Sequence, residues 1–497
     1  MQSILNSIDS RQISFIEVLF FQDDWITLGT IAEKLDCSEK ILRSNINIIN
    51  NIYAPFQITT SVKRGIRILY PENYNLDFVY SVTLGNSYEF NFLELVFFNE
   101  SLKKGEMVES LFISPSSLNR IVKKCTAFFS QFGIEIRTSP YQMVGDELKI
   151  QNFYVHYFLE KYLLDSSPFE DKELGLINTI LDFFLKYYQD DSGFSNKKKL
   201  LFSAMTALTR LKNGHVRKIG KISKENEEII HEILSHTNLV QSFRQLMGIE
   251  LTKNMLIQLF YVFFHDDYIL STNIFPEKLH NPKVEEDFAI IDQFLESLSI
   301  KLGIELQNKE LLVLKIYNAR NFLFGKNYIL HNKKIGFSQH IEQEYPLFSK
   351  ILKKEIKAAS FSTIEKENPS FFNEVLYELI IHWTNLTMEL TKSVVPISIG
   401  IISDQGTEHA EFIRKLIDYR FGKYISASII ASENLKFNQN KYAMVIATMS
   451  YFYGDFFDKP VISINSVPNE HDWKNIQKKL QELSYFEGEM GTKYIKI

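Results

Sequence analysis

The chain has 497 residues, 45% of them hydrophobic and 23% charged, and a formal net charge of -5. At roughly 100 to 200 residues per domain it holds about three to five domains, and its balance excludes a chain that is basic throughout, so any nucleic-acid surface must be local. Two cysteines, Cys37 and Cys125, exclude a disulfide framework and, lying in no Cys/His cluster, give no support to a zinc site. No apolar run approaches the about 18 residues of a membrane span and the N-terminus lacks a signal-peptide pattern, so the expectation is a cytoplasmic protein with no membrane partner. Few glycines (20) and prolines (12) beside 41 Phe and 24 Tyr predict a mainly α-helical chain.

Residues 26–50, "ITLGTIAEKLDCSEKILRSNINIIN", have the rhythm of a helix-turn-helix. Leu28, Ile31, Ala32 and Leu35 form the stripe of a short first helix, Asp36-Cys37 gives the turn, and Ser38 is placed to cap a second helix. Ile41, Leu42, Ile46 and Ile49 are expected to point inward. Lys40, Arg43, Ser44 and Asn47 then face outward, as types that read grooves or touch phosphates. Two alternating runs flanking Lys63-Arg64-Gly65 predict a hairpin with a basic tip, the form of a wing. Residues 1–70 contain seven basic and seven acidic side chains, so affinity for DNA must lean on dimerisation or on further contacts.

The pattern returns 76 residues later, laying Ala32 on Val108, Leu35 on Leu111, Cys37 on Ile113, Ser38 on Ser114 and Leu42 on Leu118. In this second unit Ser114 caps and Pro115 takes the first helical position. Ser116, Asn119, Arg120, Lys123 and Lys124 are expected to face outward, where a serine-rich helix start followed by cations suits phosphate contacts. "IEIRTSPYQMVG" reads as its wing.

From about residue 150 to 390 the chain is a series of amphipathic helices, divided near 271–283 into halves that read as two helical bundles of one kind. Within the first half, residues 192–224 contain nine Lys or Arg and no Asp or Glu. His215 follows the Asn213-Gly214 step at a helix end, among Arg210, Lys212, Arg217, Lys218, Lys221 and Lys224. Such neighbours favour a neutral, nucleophilic imidazole and would hold the charge of an added phosphoryl group. His265 and His382 sit in apolar helices that end the two halves. A histidine there is ordinarily a packed core residue, and His265 with Asp266 and Asp267 is a weak metal constellation. No cofactor, metal or catalytic residue is expected, and the protein is not read as an enzyme.

Residues 394–497 switch to an α/β rhythm, with strands at "VVPISIGIIS", "YISASIIAS", "KYAMVIATMS" and "KPVISI" implying a parallel sheet flanked by helices. The first strand-to-helix loop carries Ser403, Asp404 and Glu408; it has no cysteine, and its acidity disfavours an anion. This part reads as an interaction module.

The order of parts, with "FISPSSLNRI", "FFNESLKKGEMVESLF", "YFLEKY", "LTRLKNGHVRK" and the C-terminal α/β unit, resembles the Mga/AtxA family of virulence and metabolic regulators of Gram-positive bacteria along nearly the whole chain. The resemblance implies tandem winged helix-turn-helix units (1–75 and 76–152), two phosphotransferase-system regulation domain (PRD)-like bundles (153–277 and 278–392) and a IIB-like α/β domain (393–497). It implies a DNA-binding regulator, an activator, working on double-stranded promoter DNA. His215 matches the phosphorylatable histidine of the first regulation domain and His382 that of the second, with His265 a further candidate. Tyr317 and Asn321 stand where relatives can carry histidines, and the missing cysteine argues against phosphoryl relay by the last domain. Phosphotransferase-system phosphoryl donors and a second copy of the chain, through the IIB-like domain, are the implied partners. An RNA-binding antiterminator with similar regulation domains is the alternative, but it would need a small β-rich RNA-binding domain at the N-terminus. A phosphoryl-carrier component is weakened by the same missing cysteine.

Overall fold

A computed structural model describes the chain except residues 1, 23, 164–165, 188–193, 218–221, 223, 265–268, 270–271, 273–280, 322–327, 363–368, 393–395, 423–424, 431–440, 451–458 and 491–497. It divides into two compact units, one of residues 1–288 with 314–333 and one of residues 289–313 with 334–497.

In the first unit, helix α1 (Ser7–Phe20) starts at Asn6, whose side chain accepts from the amides of Ile8 and Asp9. Helices α2 (Leu28–Lys34) and α3 (Glu39–Ile52) follow, then the hairpin β1 (Gln57–Ser61) and β2 (Gly65–Leu69). Helices α4 (Leu76–Asn86) and α5 (Tyr88–Phe98) lead into α6 (Lys104–Leu111), α7 (Pro115–Phe129) and a second hairpin, β3 (Glu135–Thr138) with β4 (Tyr141–Val144). Both hairpins are antiparallel, as the alternating runs predict.

The turn geometry repeats with the sequence. Asp36 and Phe112, 76 residues apart, both adopt positive φ, at 47° and 52°. The Cys37 amide donates to the Ala32 carbonyl at 3.0 Å, and Ile113 to Val108 at 3.2 Å. This six-to-one bond around a left-handed residue closes a helix and turns the chain sharply into the next one. Gly65 is fixed by a close approach: at φ 98°, an added Cβ would lie 2.3 Å from the Ile26 carbonyl oxygen, which pairs with the Ile66 amide.

Helix α8 (Glu147–Lys161) runs on from the second hairpin and carries an aromatic face. Tyr154 packs on Phe97 with ring centroids 4.4 Å apart, and Tyr157 stacks on Phe90 at 5.5 Å. Around it lie α9 (Asp171–Tyr187), α10 (Phe194–Lys212), α11 (Lys224–Ser235), α12 (Thr237–Met247), α13 (Lys253–Leu259) and α14 (Tyr261–Phe264). One continuous apolar core joins the winged units to these helices, from Ile4 through Phe264 and including Ile329 and Leu330. Glu160 is half-buried against the 329–331 segment, where its carboxylate accepts the backbone amides of Ile329, Leu330 and His331.

The second unit contains the helices Pro346–Ala358 and Pro369–His382 and ends in a four-stranded sheet. Its strands β5 (Ile397–Ile402), β6 (Ile425–Ile429), β7 (Met444–Ala447) and β8 (Val461–Ser463) lie in the order β6-β5-β7-β8, all parallel. Helices Thr407–Phe421 and Glu470–Met490 follow strands of this sheet, and Ile413, Ile417, Trp473 and Ile476 join its core. The mainly helical architecture with a small α/β part matches the expectation. No helix among the described residues is long and apolar enough to cross a membrane.

Candidate functional site

The outward faces of α3 and α7 are those the sequence predicts, with two exceptions. Lys40, Arg43, Ser44 and Asn47 are exposed on α3, and Ser116, Asn119, Arg120 and Lys123 on α7. Lys63 and Arg64 are exposed at the tip of the first hairpin. Arg43 reaches Glu39 at 3.8 Å, a solvent-exposed pair worth little and readily exchanged for a phosphate. The Ser44 hydroxyl donates to the Ile41 carbonyl at 2.8 Å, which leaves its oxygen lone pairs as acceptors.

Lys124 is the first exception. Its ammonium donates to the Leu5 carbonyl at 2.5 Å and lies 3.5 Å from Glu89, so it clamps the N-terminal segment instead of facing DNA. It stands one position beyond Lys123, next to the buried Cys125, on the inward flank of the helix. Ile41 is the second: it is exposed, and Asn45 takes the inward site beside Leu42, Ile46 and Ile49, accepting from Gln12 Nε2 at 3.4 Å. The two caps also differ. Ser114 Oγ accepts the Ser117 amide at 3.1 Å, whereas Ser38 makes no side-chain capping bond.

His215 lies just beyond α10. Gly214, at φ 87°, ends that helix, and the His215 amide returns to the Arg210 carbonyl at 3.0 Å. The neighbourhood differs from the cationic one expected. Nε2 of His215 lies 2.7 and 2.8 Å from the two oxygens of Glu100, a buried residue between α5 and α6. Glu100 Oε1 also accepts from Arg210 Nη1 at 2.7 Å. Arg210, itself fully buried, holds Glu147 with two further bonds of 2.8 and 2.9 Å and the Met143 carbonyl of β4 at 2.9 Å. Burial works against the Arg210 charge, but Glu147 foremost, with Tyr154 and Glu100, more than offsets it. The acids were absent from the local sequence because they arrive from other elements.

Three other cations of this stretch are similarly engaged. Lys197 pairs with Asp182 at 2.6 Å and Lys212 with Glu173 at 3.2 Å, while Lys198 donates to the carbonyls of Tyr162 and Leu163. Arg217 is different. Its guanidinium lies 4.4 Å over the Tyr261 ring and donates to the Gln258 carbonyl, yet it makes no ion pair among the described residues and its buried Nε has no acceptor. Burial pushes its pKa down to about 10. Lys218 and Lys221 lie outside the described residues, as does the side chain of Lys224.

His382 ends the helix Pro369–His382, with Nε2 3.3 Å from Glu378. Burial alone would raise the Glu378 carboxyl, but the bond from His382 and the Lys334 ammonium hold it below the usual carboxylate range. His265 and its two aspartates lie outside the described residues. In the C-terminal sheet, Ser403 Oγ is 2.7 Å from His409 Nδ1, Thr448 donates to Asp404 at 2.6 Å and Gln405 to Ser466, so the loop's polar groups are largely satisfied internally. Cys37 and Cys125 are free, and burial pushes the Cys125 thiol up to about 12. No group of three or more metal-ligating side chains converges among the described residues.

Comparison with known proteins places these parts in one context. The family model of the M protein trans-acting positive regulator (MGA) HTH domain matches residues 6–63, the Mga helix-turn-helix domain matches 72–158, and the MGA PRD domain matches 172–386. A putative trans-acting regulator of Streptococcus pneumoniae is 26% identical over 428 residues, covering 84% of this chain and 86% of that protein. The capsule synthesis positive regulator AcpB of Bacillus anthracis is 21% identical over 485 residues, 94% of this chain and 97% of its own. AcpA of the same organism is 26% identical over 312 residues, 61% of this chain and 63% of its own.

Proposed function

Taking as premise that this chain belongs to the Mga family of trans-acting positive regulators, we propose that it is a DNA-binding transcriptional activator tuned by phosphorylation of regulatory histidines. The observation that carries the reading is the recurrence of one helix-turn-helix geometry, from Asp36 to Phe112 and from α3 to α7, each time presenting an exposed polar and basic second helix. Two such helices, each followed by a hairpin, give a chain of net charge -5 a local cationic surface for the phosphates of a duplex. The relatives' role in capsule synthesis points to virulence or metabolic genes as targets.

His215 is the principal acceptor, with His382 and His265 as further ones. The step moves a phosphoryl group from a phosphohistidyl donor protein of the sugar phosphotransferase system. The donor's N–P bond breaks and its imidazole leaves, the lone pair of the unprotonated ring nitrogen of His215 forms the new bond, and the proton on the other ring nitrogen leaves to Glu100 or solvent. Arg217, two residues on and without an anionic partner among the described residues, is the cation that the phosphoryl group would satisfy. Homodimerisation through the C-terminal domain completes the reading; Phe412 and Tyr419 stand exposed one heptad apart on the helix Thr407–Phe421.

The test is binding of the purified protein to duplex promoter DNA across a salt series. Arg120→Ala and Lys123→Ala should each weaken binding and lower the salt slope by about 1, whereas Lys124→Ala should not lower it. Binding that is insensitive to salt and to both substitutions overturns the DNA reading. Incubation with phosphoenolpyruvate and the general phosphotransferase proteins should label His215, and a protein that stays unlabelled overturns the switch alone.

A further inference from the structure

We propose that α3 carries an apolar reading edge beside its polar one: Ile41 and Ile48 contact the 5-methyl groups of thymines in the major groove. The inference rests on the reading of α3 as a DNA-binding helix and names the base group that its aliphatic side chains take.

The starting observation is an inversion of the usual helix pattern. Position 45, on the inward side of α3, holds an amide, Asn45, whereas Ile41, one turn before it, is exposed. Gln12 gives Asn45 a partner, and Asn45 Nδ2 donates to the Ile41 carbonyl at 2.8 Å, so the amide is accommodated. No packing among the described residues accounts for the isoleucine. Residues Ile41, Ile48 and Ile52 are 37%, 45% and 40% exposed. Steps of seven and four place all three in one stripe along the helix. Isoleucine is a poorer helix former than leucine or alanine, so neither packing nor propensity selects it at these positions. Single exposed aliphatics are ordinary, but an aligned row that breaks the local pattern marks a surface with another use.

The duplicate unit shows that the stripe is not part of the shared architecture. The positions 76 residues on are Ser117, Lys124 and Phe128 in α7. Ser117 lies against the cap residue Ser114, Lys124 is bound to the Leu5 carbonyl and Phe128 is buried. The protein itself closes that flank of α7, whereas the flank of α3 is open. Its neighbours identify the occupant. Ser44 lies three residues after Ile41 and four before Ile48, so the three side chains form one row, and the exposed Lys40, Arg43 and Asn47 continue the face beside it. An apolar protein surface laid on the stripe would crowd those polar groups without satisfying them. A major groove satisfies both kinds. Phosphates and base edges take the polar groups, and the thymine methyl is the apolar group that a base edge presents there. Ile41 and Ile48 are separated by about 10.5 Å along the helix axis, which is about three base-pair steps.

The test uses the full-length protein and duplexes enriched by it from a random-sequence library. These are resynthesised with deoxyuridine for thymine, which deletes the methyl and keeps the base pairing. Replacement of every thymine should weaken binding. Replacement one at a time should locate two sensitive thymines about three steps apart, each costing about fourfold, the size of one methyl lost from an apolar contact. Ile41→Ala and Ile48→Ala should each weaken binding to the thymine duplex by about fourfold or more, and each should abolish the uracil penalty at one of the two positions. Ile8→Ala, at an exposed isoleucine of α1, is the control and should change neither. Salt-sensitive binding with no uracil penalty overturns the methyl contacts and spares the DNA reading. A penalty that persists in both variants overturns the assignment to Ile41 and Ile48. If Ile48→Ala changes the oligomeric state in light scattering and leaves the penalty intact, the stripe is a protein interface and the inference fails. If no duplex is enriched and no salt-dependent binding is seen, the DNA reading fails and this inference with it.

Discussion

Arg210→Met removes the one cation that two buried carboxylates share, and its cost can be worked from the contacts. Arg210 is 0% exposed and donates four hydrogen bonds, one to Glu100, two to Glu147 and one to the Met143 carbonyl. Removing one member of a buried pair costs about 3–5 kcal/mol, chiefly because the other charge is left without compensation. Here two carboxylates are stranded. The Glu147 side chain retains 11% exposure, but that of Glu100 retains 5% and keeps only His215. The upper end, about 5 kcal/mol, is therefore expected for the first unit. At roughly 2 °C per kcal/mol for a unit this large, its calorimetric transition should fall by about 10 °C. Arg210→Lys keeps the charge but offers a single donor centre, so it should recover only part of the loss. The combination of Arg210→Met with Glu100→Gln and Glu147→Gln removes the stranded charges and should be more stable than Arg210→Met alone. A shift under about 2 °C for Arg210→Met refutes the buried network as a stabilising element. A triple variant no better than the single one refutes the assignment of the cost to stranded charge.

Two further outcomes are expected. Ser114→Ala should cost about 1 kcal/mol, because it deletes the acceptor for the Ser117 amide, whereas Ser38→Ala should cost a few tenths; urea unfolding that finds equal losses would contradict the difference between the two caps. His156 is buried on α8 with no partner for Nε2 among the described residues, and burial first, then the Lys199 cation, holds its pKa well below 6.5. The unfolded chain thus takes up a proton that the folded one refuses, so stability is full above pH 6.5 and falls below it, by up to about 1.4 kcal/mol per pH unit. His156→Phe should remove that component, which urea midpoints at pH 7.5 and 5.5 will show; equal pH dependence in both proteins rejects it.

The winged units were readable in the sequence because everything that specifies them is local. A left-handed turn residue, a serine at the helix start and an alternating hairpin act within a dozen residues, and repetition after 76 residues reinforces each signal. The parallel sheet was readable for the same reason, since a buried strand is a short apolar run wherever it pairs. Errors entered where a side chain's fate depends on a distant neighbour. Lys124 lies on the flank of α7, and only the N-terminal segment, 119 residues away, turns it from a DNA contact into a clamp. Asn45 displaces Ile41 from the core face because Gln12 of α1 offers it a hydrogen bond.

The same distinction changes the meaning of the basic run around His215. An excess of nine cations over no anions between 192 and 224 reads as an electropositive patch only if charge is summed along the chain. In the fold, Glu100, Glu147, Glu173 and Asp182 are brought against Arg210, Lys212, Lys197 and the histidine itself, and much of the apparent excess is neutralised. No pattern near residue 210 announces a carboxylate 110 positions earlier. What survives is a local imbalance: the His215 ring held by an anion on one side, and Arg217 close in sequence with a buried donor unanswered among the described residues. A charge added to that ring changes both halves of the imbalance at once, because it repels Glu100 and can satisfy Arg217. This is a stronger reason to regard the site as a switch than the count of lysines, since an isolated cationic patch would bind a phosphate without moving anything.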